Sequence, residues 1–135
     1  TEDKISQLFM NMKDLADYVI IDCVSDRSDL ISSLAKAEAD VIVQVVTPTL
    51  KCMSYYAANG DQFIAFADKV VKVINIKDND IYLPVGEVKE HFKDVEIKIP
   101  YSHSLKQQSI TGTLSEHITD KVFCDSILRL AKVVS

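Results

Sequence analysis

The chain is poor in the residues that mark specialised proteins: three cysteines, three glycines and three prolines in 135 residues, and 15 Lys and Arg against 20 Asp and Glu. Each shortage excludes something. Cys23, Cys52 and Cys124 are widely separated, which fits neither a metal knuckle nor an even disulfide framework. They read as reduced and mostly buried, because free cysteine packs as a small hydrophobe. So few glycines and prolines argue against low complexity and long loops. A net charge of -5 gives no general drive toward a polyanion, and no clustered basic patch for nucleic acid is visible. No apolar run approaches the roughly 20 residues of a membrane span. The opening "TEDKISQLF" lacks the basic and apolar blocks of a signal peptide, so a cytoplasmic protein is the natural reading.

The composition is that of a globular protein, 47% hydrophobic and 26% charged. At this length the expectation is one domain, residues 1–135, whose core buries roughly two-thirds of the surface of the unfolded chain. Ile5, Leu8, Phe9 and Met12 share one face of a helix predicted over residues 2–14, with Glu2 and Asp3 in the first turn, where the helix dipole favours acids. "YVIIDC", residues 18–23, is a β-branched run too short for a helix, of the kind covered on both sheet faces. Asp26 is the expected cap of a helix carrying Leu30, Ile31, Leu34 and Ala35, and "VIVQVV" is a strand stopped by Thr47 and Pro48. A helix over residues 49–58 closes at Asn59 and Gly60, a pair that readily supplies a left-handed cap, and a shorter helical piece covers 61–68. A strand over 70–76, a helix with Pro84 in its first turn, and a strand over 95–99 follow. Phe123, Ile127, Leu130, Ala131 and Val134 keep helical spacing to the end.

Buried strands alternating with helices imply an α/β fold, a three-layer sandwich with a mainly parallel sheet between helices. Right-handed crossovers set the four strand ends, near Asp22, Thr47, Asn75 and Pro100, along one edge, and ligands of open α/β sheets bind outside such ends.

Together the strand ends "YVIIDC", "VIVQVVTP", "KVINI" and "IKIPYS" resemble the latter half of the MinD/ParA family of P-loop ATPases, over about residues 5–134. The resemblance makes "DYVIID" the Walker B strand and matches "VVTP", "VIN" and "IPYSHSLKQQSITG" to later strand ends and a polar, Gly-containing segment. It implies a P-loop NTPase-like fold that binds ATP and Mg²⁺ in a complete protein. Asp22 would hold the metal through its water, since Mg²⁺ takes few protein ligands, and Asn75 and Pro100 would lie near the adenine. It also implies work in positioning or assembling cellular machinery such as replicons, division sites or secretion and pilus apparatus.

Two departures matter. Cys23, Val24 and Ser25 stand where the family often has prolines or a glycine, and there is no Gly-rich GKT or GKS motif. Without the N–H groups and lysine of a phosphate loop, residues 1–135 alone should not bind ATP in the family's manner. The resemblance sets the missing strand between those ending at Asp22 and Thr47. An exposed central strand left there invites self-association or another protein partner.

Plainer readings stand beside these. Asp22 suits a strand end that caps local N–H groups, and Asp26 and Asp29 suit a helix start with no ion present. Tyr55 and Tyr56 suit packing at a helix surface better than base stacking. Nothing orients Cys52 toward His91 or His103, and His91, His103 and His117 lack the spacing of zinc motifs. "KDND", residues 77–80, lacks the Gly and distal Glu of an EF-hand and reads as a solvated turn. Two functional classes result: a MinD/ParA-like ATPase domain that is partial or degenerate, and a non-catalytic protein-interaction domain on an ATPase-like sheet. A receiver domain ranks below both, because the first strand end lacks paired acids. A Gly-rich Lys motif upstream would favour the first class, and a native start at Thr1 the second.

Overall fold

A computed structural model describes residues 1–78 and 82–135. These form two compact units, Thr1–Ile42 and Val43–Ser135. In the first, α1 (Glu2–Leu15) packs against α2 (Leu30–Glu38). Phe9, Ser32 and Ala35 are buried, Lys13 Nζ donates to the carbonyl of Glu38 at 3.2 Å, and the N–H of Val24 donates to Ser32 Oγ at 3.1 Å. Asp29, not Asp26, caps α2: its carboxylate accepts from the N–H of Ser32 at 2.7 Å, while Asp26 accepts from the N–H and hydroxyl of Ser28. The cap is set by its distance from the helix, and Asp26 lies one turn too early to reach those amides.

The strand expected over residues 18–23 does not form. This stretch has no regular secondary structure, and Tyr18 and Ile20 are 70% and 93% exposed. Val19 and Ile21 are half-buried between exposed neighbours, so the period-two pattern of the sequence survives without a ladder. A strand is stable only beside another, and among the described residues none pairs with this one.

The second unit holds a three-stranded parallel sheet flanked by helices, in the order β1 (Ile42–Val46), β2 (Val70–Asn75), β3 (Val95–Ile99); β1 starts at the last residue of the first unit. The three strands were read correctly because each is a β-branched run closed by Pro, Asn or a polar turn. Lys72 pairs with Val95, and after an irregularity Val73 pairs with Ile97, Ile74 with Lys98 and Asn75 with Ile99. The helix α3 (Leu50–Asn59) is capped by Thr49, whose hydroxyl accepts from the N–H of Cys52 at 3.3 Å. Gly60 has a φ of -63°, not a left-handed one, because the chain runs straight on into a 3₁₀ helix, Gly60–Lys69. Next come α4 (Val85–His91), with Pro84 as its N-cap, α5 (His103–Thr111) and α6 (Lys121–Val134), which packs against β3. The expected turn over 77–80 falls partly outside the described residues.

The core of this unit is Val46, Met53, Ile74, Val88 and Phe92, with Tyr56 and Leu83 against it. Val73, Val88 and Phe92 have no exposure, and burying each contributes roughly 1.5–3 kcal/mol. Tyr56 and Phe92 meet edge to face, centroids 4.8 Å apart, the arrangement aromatic quadrupoles prefer. Tyr56 is therefore a packing residue.

Candidate functional site

Parallel strands bring their carboxyl ends to one side, and here Thr47 follows β1, Asn75 ends β2 and Pro100 follows β3. Asn75 lies directly opposite Ile99, the residue before Pro100. The edge is tied together by main-chain bonds: the N–H of Ile76 donates to the carbonyl of Ile99 at 2.9 Å, and that of Leu83 to Pro48 at 3.0 Å. Thr47, Asn75 and Pro100 are all half-buried, so each presents atoms to solvent. Asp22 lies in the unit Thr1–Ile42, exposed, on the stretch without a strand. It is therefore not held at a strand end.

Beside this edge is a cavity of about 180 Å³ lined by Pro48, Ile74, Ile76, Leu83 and Val88, with Tyr82 and Lys98 as its polar members. The Tyr82 hydroxyl is engaged by the Asp78 carboxylate. Small-molecule sites usually span ~300–1,000 Å³ with several convergent polar groups, so these walls suit an apolar side chain better than a nucleotide.

Past β3 the polar groups are more ordered. The Ser102 hydroxyl, buried, accepts from the N–H of Leu105 at 3.2 Å and caps α5. The Asp120 carboxylate accepts from the N–H of Phe123 at 3.1 Å and caps α6. That N–H foremost, and then the Ser102 hydroxyl, hold Asp120 below the usual carboxylate range. Ser102 and Asp120 thus start the two helices that follow β3, and each is already engaged as a cap. Sequence reading missed both caps; a Ser and an Asp each just before a helix were the available signals. Asp26 and Asp29 are likewise held low, Asp26 by the N–H and then the hydroxyl of Ser28, Asp29 by the hydroxyl and then the N–H of Ser32. Among the described residues no three His, Cys, Asp or Glu side chains gather as metal ligands, and no helix is long and apolar enough to cross a membrane.

No family model, curated protein or solved structure matches this chain.

Proposed function

We propose that the chain is part of a MinD/ParA-like ATPase domain that binds ATP and Mg²⁺ only when a phosphate-cradling strand, loop and helix complete its sheet, and that it serves the positioning or assembly of cellular machinery. The observation that carries this reading is a pair of β-branched runs without a neighbouring strand on one side. β1 has no partner beyond its outer edge among the described residues, and residues 18–23 have none at all. These are the two runs between which the resemblance sets the missing strand. In the completed sheet Asp22 would carry the metal through its water, with Asn75 and Pro100 near the base. The test is the full-length protein with Asp22→Asn and, separately, Asp26→Asn, measured for Mg²⁺-dependent turnover and for thermal unfolding. Asp22→Asn should lower turnover far more than it lowers stability, because it removes charge beside the metal and keeps shape. Asp26→Asn should leave turnover near the parent's. Equal losses in the two variants would refute the role of Asp22.

A second reading is favoured by the small apolar cavity at the sheet edge. It makes the chain a non-catalytic protein-interaction domain on an ATPase-like sheet. Mg²⁺-dependent ATP turnover by the full-length protein separates the two, since turnover that Asp22→Asn abolishes would exclude the second, while tight saturable ATP binding by residues 1–135 alone would overturn both.

A further inference from the structure

We infer that two copies of this chain pair through β1, edge to edge and antiparallel, about a two-fold axis at Gln44. The inference rests on the interaction reading and names its partner as a second copy. Three observations converge on it.

The first is the contrast between the two sheet edges. β3 carries the exposed Lys98, has Asp94 at a φ of 59° just before it, and has α6 packed against it. Charges and local distortion are the usual means by which natural edge strands avoid pairing. β1 has none of them: Ile42–Val46 contains no charge, no Pro and no Gly. Its outward valines, Val43 and Val45, are 39% and 55% exposed.

The second is that "IVQVV" is nearly its own mirror about Gln44. In an antiparallel pair centred there, Ile42 opposes the second copy's Val46, and Val43 opposes its Val45. Like then faces like on both sheet faces, as a two-fold interface requires. No charge opposes another.

The third is Gln44 itself. It is only 9% exposed, and its Oε1 has no hydrogen-bond partner among the described residues. Buried amide oxygens are rarely left so, because the lost hydration is not recovered. Directly opposed residues of an antiparallel pair have Cβ atoms about 4.5–5.5 Å apart, within reach of a reciprocal amide pair. Because that oxygen is enclosed on the buried face, the Gln44 amide turns toward the edge on pairing, where the second copy's Gln44 would supply the missing donor.

The experiment is sedimentation of residues 1–135 over a range of concentrations, for the parent, a Val43→Lys/Val45→Lys chain and a Val43→Glu/Val45→Glu chain. The parent should show a dimer whose fraction rises with concentration. Each charged chain should dimerise about tenfold more weakly or less well still, because two like-charge pairs then lie directly opposite. An equimolar mixture of the two charged chains should recover a heterodimer, since every introduced lysine would then oppose an introduced glutamate of the other chain. Because both valines are exposed, these changes leave the core intact, which circular dichroism checks. As a measurement that does not depend on charge, Val43→Cys and Val45→Cys chains, both with Cys23→Ser, should cross-link to each other on oxidation much faster than either does to itself. A parent that stays monomeric, a dimer insensitive to the lysines, or cross-linking without preference for the mixed pair would each overturn the pairing. None of these would touch the interaction reading, which falls to Asp22-dependent ATP turnover by the full-length protein.

Discussion

Phe92→Ala should be the most damaging single truncation in the unit Val43–Ser135. The ring has no exposure and sits among Val46, Met53, Ile74 and Val88. Removing a buried phenylalanine side chain costs about 3–5 kcal/mol, transfer and cavity terms together. Part of that is specific to the ring. The edge-to-face contact with Tyr56 at 4.8 Å is worth ~0.5–1.5 kcal/mol beyond area, and Lys72 Nζ lies 5.5 Å from the ring centroid, worth ~0.5–1 kcal/mol where partly exposed. Phe92→Leu keeps most of the apolar volume and should lose only about 1–2 kcal/mol, chiefly these ring terms. Against a typical total of ~5–15 kcal/mol, the alanine variant should be marginal and the leucine variant folded. The chain has no tryptophan, so urea unfolding followed by far-UV circular dichroism is the suitable assay. A double-mutant cycle with Tyr56→Leu should return a coupling of ~0.5–1.5 kcal/mol. If Phe92→Ala costs less than ~1 kcal/mol, or the cycle returns no coupling, α4 does not pack on the sheet as described.

Ser102→Ala should destabilise by about 1 kcal/mol in the same assay, because it removes the α5 cap. Gly112 has a φ of 73° at the end of α5 with open space where a Cβ would stand, so Gly112→Ala should cost ~1–2 kcal/mol from backbone strain alone. Asp26, Asp29 and Asp120 all hold their protons less readily folded than unfolded. Their contribution is therefore present above the ordinary carboxylate pKa of ~4 and is lost as pH falls through that value and below. Melting temperature should drop over that window, and less steeply in an Asp29→Asn/Asp120→Asn chain, whose caps no longer titrate.

Much of the fold was legible because strands and helices here differ in period and punctuation. "VIVQVV", "VVKVIN" and "VEIKI" are short β-branched runs ended by Thr-Pro, Asn and Pro, and all three are strands. "YVIIDC" has the same local character and is not one. The difference is non-local, since a ladder needs a neighbour and composition does not say whether one is present. Helix α5 was passed over because "HSLKQQSIT" has no apolar stripe and buries none of its residues; only Ser102 before it and Gly112 after it mark its ends. At the sheet edge Thr47, Asn75 and Pro100 were found from strand ends alone. The influence of Ser102 on the Asp120 carboxylate was not, because the two are distant in sequence.

The bare backbone of residues 18–23 carries a practical consequence. None of its amides is hydrogen-bonded to the described residues. Each should therefore exchange its hydrogen for deuterium at nearly the rate of an unstructured peptide, while the amides inside the β2 and β3 ladder wait for the sheet to open. Any added strand that settles beside this run must take up those amides and slow them. Loss of deuterium uptake at 18–23 would thus report strand addition before the added polypeptide had been identified.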